Sequence, residues 1–115
     1  MIERKYRSLG CWKDNSESRA ISSVEGKGSF SDDSKLRIGP IEKCFDEAMR
    51  RGLDIFAIQW GGECYTDSLA RNKYKKYGPS SDCSSNGEGG PLANHVYEIE
   101  NGKYYSDIKK SKYTI

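Results

Sequence analysis

The chain is short of aliphatic side chains: Leu, Ile, Val and Phe number 19 of 115 residues, below the share that fills an ordinary hydrophobic core. Its longest apolar run, Ile55-Phe56-Ala57-Ile58, is far shorter than the roughly 20 residues a helix needs to cross a bilayer, so no membrane-inserted segment is expected. The opening Met1-Ile2-Glu3-Arg4-Lys5-Tyr6 lacks the apolar stretch of a secretory signal, which fits an intracellular protein, a mature form or a domain cut from a longer precursor. No Asn stands two positions before a Ser or Thr, so there is no N-glycosylation acceptor. Charge of one sign is lacking too. Nineteen Lys+Arg face seventeen Asp+Glu, for a net charge of +2 and a pI near 8.3. That balance argues against disorder driven by self-repulsion and falls short of the strongly basic domains that bind nucleic acid.

What the chain has instead is eight Tyr, two Trp and four Cys. Tyr and Trp bury large areas while keeping one polar atom near water. The cysteines, Cys11, Cys44, Cys64 and Cys83, are even in number in a short Gly- and Ser-rich chain, which reads as a disulfide framework in an oxidising compartment. Four cysteines allow three connectivities. Buried free thiols and a metal site compete with this reading, but no close C-x-x-C pair of the kind zinc uses is present. Each bridge would stabilise so thin a core by roughly 2–4 kcal/mol.

The length suits a single domain, residues 1–115. The clearest element is a helix from Pro40 to Arg51, where Ile41, Cys44, Phe45, Ala48 and Met49 form one apolar stripe. Glu42, Lys43, Asp46, Glu47, Arg50 and Arg51 cover the rest. Pro40 suits the first helical position, and Gly52 can take the left-handed stop. Leu53 to Trp60 follows, apolar on both alternating faces from Ile55 to Ile58, as in a central strand covered on both sides. Gly61-Gly62 permits a tight turn into a second strand, Glu63-Cys64-Tyr65-Thr66. A helix packed on that sheet brings Cys44 and Cys64 together and leaves Cys11 with Cys83. Gly10 to Lys13, Ser18 to Ile21 and His95 to Ile99 read as further short strands, and Asn101-Gly102 as a hairpin turn. Glu25 to Ser34 and Tyr77 to Pro91 have loop composition, the latter long enough to suggest function.

Several segments together resemble the WSC domain: Gly10-Cys11-Trp12-Lys13-Asp14-Asn15, Ser18-Arg19-Ala20-Ile21, Ile41-Glu42-Lys43-Cys44, Phe56 through Gln59-Trp60-Gly61-Gly62-Glu63-Cys64-Tyr65, and Ser81-Asp82-Cys83. The resemblance spans roughly residues 8 to 99, leaving 100–115 as a hairpin and basic tail. WSC domains are extracellular carbohydrate-binding modules related in fold to PAN/apple domains. They generally carry twice as many cysteines. Here Ala48 and Thr66 stand at two of the missing positions, and Tyr74 to Gly78 and Gly87 to Asn94 replace a cysteine-rich late loop. The resemblance implies a reduced, four-cysteine variant. It supplies no set of sugar-contacting residues, so the candidates come from chemistry alone.

Sugar binding needs flat aromatic faces for the apolar side of a pyranose ring, flanked by polar groups that hydrogen-bond its hydroxyls. Trp12, Trp60, Tyr65, Tyr74 and Tyr77 can supply faces, and Asp14, Asn15, Arg19, Gln59, Glu63, Asp67 and Asn94 can supply polar partners. Trp60 shares a strand face with Phe56 and Ile58, which reads equally as core, and Trp12 beside Cys11 can pack on a disulfide. Exposure of the two indoles separates the readings.

Other chemistries find less. A hydrolase needs a paired acid and base or an activated nucleophile, and the one histidine, His95, has no Ser or Cys partner evident in sequence. The acidic loops Asp14 to Glu17 and Ser31 to Ser34 lack the spacing of a calcium loop, and Gly87-Glu88-Gly89-Gly90 lacks the context of a phosphate loop. Arg71 to Tyr77 and Lys109 to Tyr113 interleave Lys with Tyr, which suits a solubilising face or a polyanion such as a sulfated glycan.

The sequence thus predicts a small α+β, PAN/apple-like domain with one amphipathic helix on a short, mostly antiparallel sheet. Two bridges, Cys11–Cys83 and Cys44–Cys64, are expected to staple it. The expected role is a non-catalytic, lectin-like module, secreted or at the cell surface, that binds neutral or sulfated polysaccharide without cofactor or metal. The alternative is an extracellular protein-interaction or matrix module with no sugar site, and a disulfide-framed toxin or inhibitor displaying the late loop is a third reading.

Overall fold

The structure, a computed structural model, describes residues 5–100. The hairpin expected at Asn101-Gly102 and the basic tail lie outside them. Along the chain run β1 (Tyr6–Lys13), α1 (Pro40–Arg50), β2 (Ile55–Gln59), β3 (Glu63–Tyr65), α2 (Ala70–Lys73) and β4 (Ala93–Ile99). The strands form one antiparallel sheet in the order β1-β4-β2-β3. The α+β class, the helix and both bridges are those the sequence predicts.

Pro40 opens α1 after Gly39, and the chain leaves it through Gly52 at φ 76°, a left-handed stop that only glycine adopts without strain. The stripe Cys44, Phe45, Ala48 and Met49 packs on Phe56 and Ile58 of β2 and on Tyr97 and Ile99 of β4. Glu47, expected on the polar face, is buried instead, and its carboxylate accepts from Arg50 and, at 2.6 Å, from Arg51. The opposite face of the sheet, Ile55, Ala57 and Val96, is covered by Ala20, Ile21, Tyr65 and Ala70. This second layer is why β2 carries no polar alternation until Gln59.

Ser18 to Ile21 is not a strand. Ala20 and Ile21 are fully buried in an irregular segment, where backbone donors must still find partners. Two carboxylates supply them: Ala20 N–H donates to Asp14 at 2.9 Å and Ser22 N–H to Asp67 at 2.8 Å. Side-chain acceptors here replace a ladder.

The chain from Glu25 to Ile38, which includes the Glu25–Ser34 stretch of loop composition, hides a buried cation. The Arg37 side chain is wholly buried and donates to Glu25 through Nη1 and Nη2 (2.8 and 2.9 Å), to Asp32 (2.7 Å) and to the Gly62 carbonyl (2.7 Å), with its guanidinium over the Phe30 ring. Glu25 also accepts from Cys64 N–H at 2.8 Å. This cluster clamps the loop onto the β2–β3 turn, against which Ser34 packs so closely that a Cβ on Gly62 would fall 2.3 Å from its carbonyl oxygen.

Candidate functional site

At the end of β2 the chain turns sharply. Gln59 is the last strand residue, and Trp60 adopts φ 56°, a left-handed conformation costly for a bulky side chain. Trp60 therefore leaves the strand alternation and stands 42% exposed, which removes it from the core where Phe56 and Ile58 lie. One other described non-glycine residue has positive φ: Leu92, at 49° and 48% exposed. Both line one shallow, open groove of about 270 Å³ with Arg19, Gln59, Glu63 and Pro91. The glycine-rich segment before Pro91 packs tightly on the end of β2, since a Cβ on Gly89 would lie 2.2 Å from the Ile58 carbonyl oxygen. Strained residues held by their surroundings concentrate at functional sites.

Beneath the groove lies a buried polar network. Asp14 accepts from Arg19 Nη1 at 2.8 Å and from Gln59 Nε2 at 2.9 Å, and Gln59 Nε2 also donates to Asn94 Oδ1 at 2.8 Å. Burial pushes the Asp14 carboxyl up, but hydrogen bonds from Ala20 N–H, Gln59 and Arg19 outweigh it and hold the group below its ordinary range. Arg19 is thereby fixed through one nitrogen, with its guanidinium 5.3 Å from the Tyr65 ring centre. Among the described residues its Nε and Nη2 carry no hydrogen bond. Tyr65 donates to Glu63 Oε1 at 2.9 Å, and burial followed by that carboxylate raises the phenol. The groove so combines an exposed indole, a fixed donor fork and a fixed carboxylate.

The candidate residues separate into two groups. Trp60, Arg19 and Glu63 reach the groove, joined by Gln59. Asp14, Asn94 and Tyr65 lie under it as supports, too buried to be contact surfaces. The others stand elsewhere. Trp12 is half-buried, its indole N–H donating to the Leu9 carbonyl at 2.9 Å and its ring edge-on to Tyr74 at 5.4 Å. Asn15 closes a turn by accepting from the Glu17 and Ser18 N–H groups, and Asp67 caps Ser22 and Leu69. Leu92 and Pro91 were missed because aliphatic residues in a glycine-rich loop carry no sugar-binding signal; the doublet Gly61-Gly62, which ends β2 before Trp60, was the available clue to its exposure.

His95 does have a serine neighbour, Ser8 across the sheet, with Oγ 2.7 Å from Nε2. Ser8 also accepts from Gly10 N–H at the bulge where the β1 register shifts. Among the described residues the buried Nδ1 has no hydrogen-bond partner, so none of them orients the imidazole as a nucleophile's base requires. A second cleft, lined by Ser29, Phe30, Lys43, Asp46, Glu47 and Arg50 along α1, has no exposed ring. No group of three or more possible metal ligands occurs among the described residues, and no described helix is long and apolar enough to cross a membrane.

No protein-family model matches the chain, and no curated protein matches it.

Proposed function

We propose that the groove beside Trp60 binds a pyranose ring of a polysaccharide, making this a non-catalytic, extracellular carbohydrate-binding module of WSC type. The observation that carries the proposal is the pairing of the two left-handed non-glycine residues: Trp60 and Leu92 hold exposed apolar surfaces at one groove, beside a donor and an acceptor already fixed from below. An indole face suits the C–H side of a sugar, while the free edge of Arg19 and the Glu63 carboxylate suit neighbouring hydroxyls as donor and acceptor. Prefixed polar groups lower the ordering cost of binding. Two disulfides are compatible with an oxidising, extracellular setting. A glycan array probed with wild type, Trp60→Ala and Arg19→Ala tests the proposal: wild type retains oligosaccharides that both variants release. Silence of the wild type across neutral and sulfated glycans overturns it.

A protein-interaction role is the second reading, favoured by Leu36 and Ile38, which stand 78% and 83% exposed on the loop whose Lys35 lies over the Trp60 ring. Under that reading Leu36→Ser/Ile38→Ser abolishes partner capture and Trp60→Ala leaves no glycan phenotype.

A further inference from the structure

We propose a second binding surface, for a sulfated polysaccharide, on the turn that carries Lys75 and Lys76. It stands on observations independent of the Trp60 groove. From Arg71 to Tyr77 the sequence holds four cations and no acid, yet the structure sorts those cations sharply. Arg71 pairs with Asp54 and Glu98, and Lys73 with Asp67, so both are neutralised locally. Lys75 and Lys76 pair with no carboxylate among the described residues. Aromatic rings hold them instead. Lys75 Nζ lies 5.4 Å from the Trp12 ring centre and 5.6 Å from that of Tyr74, and Lys76 Nζ lies 5.2 Å from the Tyr77 ring and 3.4 Å from Ser18 Oγ. A ring face attracts an ammonium without cancelling its charge, so both charges remain available to an anion.

The turn itself is anchored. Lys76 and Gly78 N–H groups donate to the Lys73 and Lys75 carbonyls, Lys13 N–H donates to Gly78 at 2.9 Å, and the Tyr77 hydroxyl donates to the Ser18 carbonyl at 2.6 Å. Two ammoniums on an anchored turn, each resting on a ring, present a preorganised positive edge. The partner's chemistry follows from what the rings cannot do. Single-stranded nucleic acid binds by stacking bases on open aromatic faces, but Trp12 and Tyr74 meet edge to face and are half-buried. Charge is on offer and stacking is not, which fits a polymer whose sulfates project from its periphery.

Affinity of the whole chain for a heparin oligosaccharide, measured at low salt and again at rising salt, tests the assignment. Its desulfated counterpart and a single-stranded DNA of equal length serve as comparisons. Wild type binds the sulfated oligosaccharide, weakens as salt rises, and ignores the desulfated one. Lys75→Gln/Lys76→Gln weakens binding by about tenfold or more with an unchanged far-UV spectrum, while Trp60→Ala leaves it intact. Unchanged affinity in the double lysine variant, an equal loss in Trp60→Ala, no heparin binding by wild type, or tighter binding of the DNA each overturns the second surface. None of these bears on whether neutral glycans occupy the groove.

Discussion

Replacing Arg37 by Met removes the one wholly buried guanidinium side chain of the described residues while keeping most of its apolar stem. Four contacts fall together: both Glu25 oxygens, Asp32 and the Gly62 carbonyl. Breaking a buried ion pair from one side costs roughly 3–5 kcal/mol, chiefly because the remaining charge stays desolvated. Here the abandoned carboxylates reach water, Glu25 being 22% and Asp32 49% exposed at the side chain, so the low end, about 3 kcal/mol, is expected. With a urea slope of about 1.5 kcal/mol/M for a domain this size, the midpoint drops by about 2 M. Arg71→Met is the control. That residue also joins two carboxylates but stands 49% exposed, and surface pairs contribute within about 1 kcal/mol. Urea unfolding followed by tryptophan emission measures both, with Trp60 reporting directly because the clamp holds the turn that displays it. A midpoint for Arg37→Met within about 0.5 M of wild type would refute the claim that this clamp holds the loop and turn together.

Leu92→Gly relieves a left-handed strain of about 1 kcal/mol at a half-exposed site, so thermal stability holds or rises by up to that amount while glycan binding weakens; a clear fall in stability contradicts the strain. Reduction opens loops of 72 and 20 residues, worth about 4 and 3 kcal/mol of chain entropy taken singly, so reductant lowers the melting temperature by well over 10 °C; a transition unchanged by reductant contradicts the staple. Burial lowers the His95 imidazole from its ordinary value of 6.5, so the unfolded chain takes up the proton first, and stability complete above about pH 6.5 is lost as pH falls through the folded value. Asp14, Asp67 and Glu98, all held below their ordinary ranges, lose their share only in more acid solution. His95→Gln should therefore flatten the stability profile between pH 7 and 5, as followed by thermal melts; an unchanged slope there rejects the assignment.

The elements that sequence rendered legible are those whose signal is periodic and local. The stripe from Ile41 to Met49 fixes both the helix and the inward side of Cys44, and the two-sided apolar run of β2 requires a second covering layer, which exists. The pairing of Cys44 with Cys64 follows from those two facts. What escaped depends on contacts between residues with no shared period. Nothing local marks Arg37 as buried, because its partners lie 12 and 5 positions before it and across the β2–β3 turn. The segment around Ala20 reads as a strand in sequence, but its backbone donors are satisfied by the Asp14 and Asp67 carboxylates, 6 and 45 positions away, in place of a neighbouring strand. Trp60 continues an alternation that its own left-handed backbone interrupts. The groove's polar members are legible in the sequence as chemistry, but the division into those that face outward and those that support from beneath is set by depth, which composition does not encode.

With each indole N–H resonance assigned by substitution, titration of the labelled protein with the tightest-binding neutral oligosaccharide from the array should shift the Trp60 indole progressively and saturably, with the Arg19 side chain following. The Trp12 indole, tied to the Leu9 carbonyl, should stay still. A saturable shift at Trp12 with none at Trp60 would contradict the account.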